Sequence, residues 1–400
     1  MSKSVSSDDL DNVLDYLGPT PPIGHLPARG ERFWVDRPEQ LAHAVILLAQ
    51  AHMIAVDAEF IQTRVRSQND AHTTVPRLAL LQLAIDGHCF VVDALRLADL
   101  SPLQRVLGNP AIAILLHGAG ADLHVMAERE LYVVHYYDLE ATCRSIFGQR
   151  ESSLAAMLQR AFAFHLDKSL QRTDWTRRPL PQAMIAYAAR DAEVTLALYY
   201  WLDQYYQPIL RLHENTTQPD TVATWIEPFL HGNPPISPEM AVAEAKAQGI
   251  IRNKAQVGAE CRAALKVVKH PLRRSRLLRL IADLSLHQLV PDILPLLQAA
   301  TSDERASSVR ALGRLNAQSA RDAISVLLQD PVADVRRAAQ AALRTLSTKE
   351  SGHTHPSGHP RQSHAPTGKT VKNTPAPQEE EPTLETESAW KSRLRSIMDA

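Results

Sequence analysis

The 400-residue chain has only three cysteines, Cys89, Cys143 and Cys261, and no two of them form a CxxC pair. That spacing excludes a zinc ribbon or a disulfide framework and fits a reducing compartment, so the expected location is cytoplasmic. Long apolar runs are also missing. The most apolar stretch, Ala42 to Val56, is interrupted by Gln50 and His52 and is too short to span a bilayer. No secretory signal is expected either, because Met1 to Gly18 carries Asp8, Asp9, Asp11 and Asp15 and has no apolar core. Charge of one sign is lacking as well: 43 Lys and Arg against 44 Asp and Glu leave a net charge of -1. This excludes the simplest kind of basic nucleic-acid binder, although a near-zero sum can hide segments of opposite sign. What remains is an ordinary globular composition, 45% hydrophobic and 22% charged, at a length that suggests two or three domains.

Residues 1–31 are acidic and then rich in Pro and Gly, and read as a loose leader. Ordered pattern starts at Phe33-Trp34-Val35 and is followed by a predicted helix from Pro38 to Ala51. Strands are predicted from Met53 towards Phe60, over Arg77 to Ile85 and over His88 to Asp93, the last two joined by an Asp86-Gly87 turn. A polar segment from Thr63 to Val75 reads as a loop. Further helices and strands (Ala111 to Leu116, Tyr132 to Tyr137) lead into helical pattern up to Tyr206. Strands in sequence, then helix and strand in alternation, imply an α/β domain over 32–208: a mixed sheet flanked by helices.

Residues 209–239 are polar and Pro-rich and read as a linker. Helical pattern fills 240–346, where apolar residues recur every 31 positions: Ile281, Leu312 and Leu343, then Leu284, Leu315 and Leu346. Such a period points to stacked helical units, an all-α domain. Asp334 to Leu343 also resembles HEAT-type repeats. Residues 347–400 turn to Ser, Thr, Pro, His and Glu, and read as a disordered tail. Its four histidines, His353, His355, His359 and His364, have no packed site around them. At its end Trp390, Leu394, Ile397 and Met398 share a helical face, a possible docking helix for a protein partner or a helix with none.

The chemistry resides in the carboxylates. Asp57 and Glu59 are two apart on a predicted strand and so face the same way. Two acids in an apolar strand are costly unless a cation neutralises them, and hard oxygen ligands suit Mg²⁺ or Mn²⁺. A strand end opening to solvent is the plain alternative. Asp122 lies at a predicted helix start after His117-Gly-Ala-Gly120, where it can reach the same place or simply cap the helix. Tyr187 and Asp191, at i and i+4, share a helix face, as any amphipathic helix would allow.

Taken together, Asp57-x-Glu59, Asp122 and Tyr187-x-x-x-Asp191 resemble the DEDDy class of 3′–5′ exonucleases. Leu116 to Val125, Leu166 to Leu180 and Tyr187 to Asp191 closely resemble ribonuclease D. The resemblance covers residues 32–208. It implies a ribonuclease-H-like fold with acids grouped around two divalent ions, Mg²⁺ or Mn²⁺. Asp57, Glu59, Asp122 and Asp191 would be the metal ligands, and Tyr187 would orient the attacking water or help take its proton. Two cations about 4 Å apart would activate that water and stabilise the leaving 3′ oxygen. The products would be nucleoside 5′-monophosphates released from a single-stranded 3′ end. Weaker candidates for substrate contact are Phe60, Arg64, His117, Lys168 and Arg172. Core packing for Phe60 and loop capping for His117 are the competing roles.

The resemblance ends where the helical segment begins, since the small helical nucleic-acid-binding domains usual in ribonuclease D are not recognisable. Residues 240–346 instead hold 17 Lys and Arg against 9 Asp and Glu, densest at Arg273-Arg274-Ser-Arg276 and Arg336-Arg337. A surface of that sign can track an RNA backbone without reading sequence, and helical repeats can equally serve as a protein scaffold. The expectation is an exoribonuclease acting in the processing or decay of RNA such as transfer RNA precursors. A DNA exonuclease and a non-catalytic scaffold are the alternatives.

Overall fold

In the computed structural model, residues 21–347 are described, apart from 28, 67–71, 168, 171–172, 217–220 and 233; of 63–66 and 72–74 only the backbone is. Most of the leader, Lys168, Arg172, the Arg64 side chain and the terminal helix therefore lie outside the described residues. Among the described residues no helix is long and apolar enough to cross a membrane.

Seven strands form one mixed sheet: β1 Glu31–Val35, β2 Met53–Arg66, β3 His72–Ile85, β4 His88–Asp93, β5 Ala113–Leu116, β6 His135–Asp138 and β7 Glu214–Thr216. Their spatial order is β1-β4-β3-β2-β5-β6-β7. β2, β5 and β6 run parallel, so their carboxyl ends open on one side. β3 is antiparallel to both β2 and β4. Period-2 alternation sends Ala55, Leu115 and Tyr137 to one face and Ile54, Val56, Ile114 and Leu116 to the other, and each face has its own apolar core.

Helices cover both faces, as the alternating pattern predicted. α1 Pro38–Leu48, α2 Gln104–Leu107 and α3 Ala119–Ala127 pack on the second face. α4 Leu139–Phe147, α5 Leu154–Phe162 and the 31-residue α6 Gln182–Leu212 belong to the first. The segment 63–75 corrects the expectation of a loop. β2 continues to Arg66 and β3 starts at His72, paired from Thr63 with Val75 to Arg66 with His72. Alternating Thr and Val residues supply the β propensity that the polar composition masked.

The stretch 209–239 does more than connect. α6 runs through Pro208 to Leu212, with Tyr206 outside helical geometry, and β7 then pairs with β6 at the sheet edge. The short α7, Glu227–His231, follows; Trp225, Ile226, Phe229 and Leu230 are buried in the core of the helical segment beyond. That segment comprises α8 Pro238–Ala247, α9 Lys254–Val267, α10 Pro271–Asp283, α11 Val290–Ile293, α12 Ser302–Arg314, α13 Arg321–Val326 and α14 Ala333–Ser347.

The 31-residue period is visible in its geometry. α10, α12 and α14 start at positions 271, 302 and 333, and the left-handed residues Ser285 and Asn316, both at φ 51°, follow the ends of α10 and α12. A recurring arginine braces each turn. Arg305 donates to the carbonyls of Ala299 and Ala300, and Arg336, one period on, donates to those of Asp330 and Pro331. Arg305 also forms a buried fork with Asp330 at 2.7 and 3.1 Å. Arg274 pairs with Glu304, Arg276 donates to the Leu230 carbonyl and Arg337 pairs with Asp334. Four of the arginines singled out as a basic surface are thus engaged in holding the helices.

α12 packs on α4. Ser145 donates to Asp303 at 2.5 Å and so accepts from Nε2 of His213, a fully buried ring whose pKa burial pushes down to about 3. The Gln149 N–H donates to Asp334, and Ser302 donates to the Arg144 carbonyl. Between them Gly148 adopts φ 89°, and a Cβ there would stand 2.7 Å from a Val332 methyl. We expect Gly148→Ala to destabilise the protein by about 1–3 kcal/mol through strain and overpacking, read as a lower midpoint in urea unfolding.

Candidate active site

Three elements converge at the open end of the parallel strands. Asp57 and Glu59 follow Ala55, the last β2 residue paired with β5, and point to the face covered by α6. α6 approaches closely because both surfaces are small: Ala188, Ala189 and Ala192 share a core with Ala55, Ala79, Ala84 and Ala113. The Cys89 thiol even reaches the Ala189 carbonyl at 3.6 Å. This closeness brings Asp191 to the strand acids, and Asp57, Glu59 and Asp191 each offer a carboxylate oxygen within 4.8 Å of the others.

Asp122 stands beside this trio, buried in the first turn of α3, and its charge helps to raise the Glu59 pKa. The start of α3 is fixed by Asp138 at the end of β6, which accepts from the N–H groups of Gly118 and Ala119 and also caps α4 through Ala141. Nothing in the sequence reading singled out Asp138; its position before a helix was the available signal.

The electrostatics follow from crowding. Burial raises the pKa of Asp57; burial and then the charges of Asp57, Asp191 and Asp122 raise that of Glu59 further. Tyr187 is half-buried one turn before Asp191, bonds to its carboxylate and packs against Trp175 at 6.2 Å between ring centroids. Burial, followed by the Asp191 and Glu59 charges, pushes the phenol pKa up, so the hydroxyl keeps its proton at neutral pH.

The segment bearing Trp175 is tied to the sheet by Arg178. Its guanidinium forks onto Asp93, the last residue of β4, at 2.5 and 2.7 Å and also donates to the carbonyls of Trp175 and Ala79. Ala79 is the extra residue of a β-bulge opposite Glu59 and Phe60. Bulges re-aim side chains beside functional sites.

The weaker candidates fall elsewhere. Phe60 packs against the core on the far face of the sheet and is not brought to the acids. His117, at the end of β5, donates from Nε2 to the Ser152 carbonyl.

Residues 33–205 match the protein family described as 3′-5′ exonuclease. That match covers under half of the chain. The exosome complex component 10 homolog of Drosophila melanogaster is 30% identical over 212 residues, which are 48% of this chain and 23% of that protein. Ribonuclease D of Escherichia coli is 36% identical over 143 residues, 34% of this chain and 35% of that one. The chain thus spans well under half of these relatives. The crystal structure of Escherichia coli RNase D is similar with a TM-score of 0.41 and 20% identity, covering 80% of this chain and 76% of that chain.

The donor set of the acid cluster fits a divalent cation: hard carboxylate oxygens, grouped and partly withdrawn from water. The metal-free fold holds protons on Asp57 and Glu59 that the unfolded chain has released by about pH 5. Their contribution to stability is therefore full at low pH and is lost as pH rises through the folded-state values. Added Mn²⁺ should raise the melting temperature more at pH 8 than at pH 5.5. Glu59→Gln should raise the metal-free melting temperature, most at pH 8, and shrink the Mn²⁺ effect, both read by scanning fluorimetry.

Proposed function

We propose that the protein is a 3′–5′ exoribonuclease of ribonuclease D type, releasing nucleoside 5′-monophosphates from a single-stranded RNA end. The observation that carries this reading is the convergence of Asp57, Glu59 and Asp191 from a strand and a helix, with Asp122 beside them, inside the stretch that matches the 3′-5′ exonuclease family. In this reading the four carboxylates hold two divalent ions, Mg²⁺ or Mn²⁺. Bound ions would supply an activated water and charge stabilisation at the leaving 3′ oxygen.

The chain's own residues would do the following. Asp57 and Glu59, fixed to the sheet, set the spacing of the ligand oxygens. Asp191 closes the site from α6, and the buried first turn of α3 presents Asp122. Tyr187, protonated and donating to Asp191, orients the attacking water by accepting from it at the phenol oxygen rather than by removing its proton. The water oxygen forms the new bond to phosphorus as the bond to the 3′ oxygen breaks, and the water's proton balances the alkoxide.

RNA is favoured as substrate because the Escherichia coli relative that is 36% identical over 143 residues is a ribonuclease D. Residues 32–208 would be the catalytic unit and 240–346 a HEAT-like helical unit contributing to RNA contact. Its remaining basic residues would serve this end, since Arg274, Arg276, Arg336 and Arg337 are committed to internal bonds.

The test is mononucleotide release from matched 3′-labelled RNA and DNA strands with Mg²⁺ or Mn²⁺. Release from RNA is expected, with Asp57→Asn and Asp191→Asn abolishing it and Tyr187→Phe slowing it on the order of 10²-fold through lost alignment. Preference for DNA would reassign the substrate. Inactivity on both strands, or activity surviving the two acid substitutions, would sink the proposal.

A further inference from the structure

Gln82 is the polar residue that the acid cluster leaves unexplained. It sits in the middle of β3 among Leu80, Leu81 and Leu83 and is 0% exposed. Neither its Nε2 nor its Oε1 has a hydrogen-bond partner among the described residues. A carboxamide brings two donor hydrogens and an acceptor oxygen into an apolar layer, where each unmade bond carries the desolvation cost of the group. Leucine or methionine would fill the same space without that cost.

The position explains the choice. On the β2–β3 ladder Gln82 stands directly opposite Asp57, as Leu80 stands opposite Glu59. Residues so paired have Cβ atoms about 4.5–5.5 Å apart on one face of the sheet. Here that face is the one on which α6 lays Asp191. An orphaned amide directly opposite a metal-ligand candidate is the arrangement expected when its partner is that ligand's carboxylate, brought into line as the site fills.

We propose that Gln82 is a positioning residue of the acid cluster, donating from Nε2 to the Asp57 carboxylate when a divalent ion draws that carboxylate into place. One oxygen of Asp57 then serves the ion and the other takes the amide hydrogen. This rests on the metal-binding reading of the site given above. Bonds of this kind to a ligand typically strengthen metal affinity 10- to 100-fold. The same amide weakens the metal-free fold, because its bond is made only with the ion present.

The test measures Mn²⁺ binding by electron paramagnetic resonance and melting temperature in chelator, neither of which needs turnover. Gln82→Met, close in volume and unbranched, should raise the metal-free melting temperature while shifting the Mn²⁺ midpoint 10- to 100-fold higher. Gln82→Leu provides a second reading of both quantities. Ser308→Ala is the control: Ser308 Oγ is another buried group with no partner among the described residues, but it lies in α12 within the helical segment. Its removal should leave the Mn²⁺ midpoint unchanged. A Gln82→Met midpoint within twofold of the wild type, or a metal-free protein made less stable by both Gln82 substitutions, overturns the role of Gln82 alone. A wild-type protein that binds no Mn²⁺ overturns the metal-binding reading and this role with it.

Discussion

Like charges brought together in a poorly hydrated place are the constraint around which the rest of this protein is arranged. Three carboxylates whose oxygens lie within 4.8 Å of one another repel, and each has lost part of its water. A flexible surface would relieve the strain by turning the side chains outward. The sheet prevents this, because strand alternation fixes the direction of Asp57 and Glu59, and α6, seated on alanines, cannot withdraw Asp191 without opening the core. The free energy stored in that crowding is what a cation can release.

Polar residues well away from the acids keep the arrangement in place. Asp138 joins the end of β6 to the starts of two helices and so determines where Asp122 stands. The Arg178–Asp93 fork binds three things at once: the end of β4, the bulge behind Glu59 and the segment that presses Trp175 against Tyr187. With Asp93 fully buried and its fork made with both carboxylate oxygens, the pair fixes geometry more than it adds stability. Both are supports acting on backbone groups, which leaves the reacting side chains free of structural duties.

The acids were legible in the sequence because their spacing is dictated by period: two residues on a strand, four on a helix. The mixed sheet was legible for the same reason, from apolar runs separated by helical pattern. What escaped was whatever depends on partners distant along the chain. Gln82 reads as part of an apolar strand, and only its register opposite Asp57 gives it a meaning; a single amide within Leu80-Leu81-Gln82-Leu83 was the available hint. Residues 63–66 and 72–75 looked like a loop because polar residues hid a β-ribbon that continues the strand bearing Asp57 and Glu59. The clustered arginines of the helical segment suggested a free basic surface, whereas Arg336 bonds to carbonyls of the turn before its helix and Arg274 pairs with Glu304 about one repeat on.

The short strand β7 has a consequence for how this protein can be divided. It comes after the residues that match the exonuclease family and before those that build the helical core, yet it supplies an outermost strand of the sheet that carries the acids. Cutting the chain at residue 205 would therefore bare the backbone groups of β6, a ready template for a foreign strand. The two halves share a seam, and any rearrangement that grafted another partner onto this sheet would have to carry that strand along or replace its hydrogen bonds.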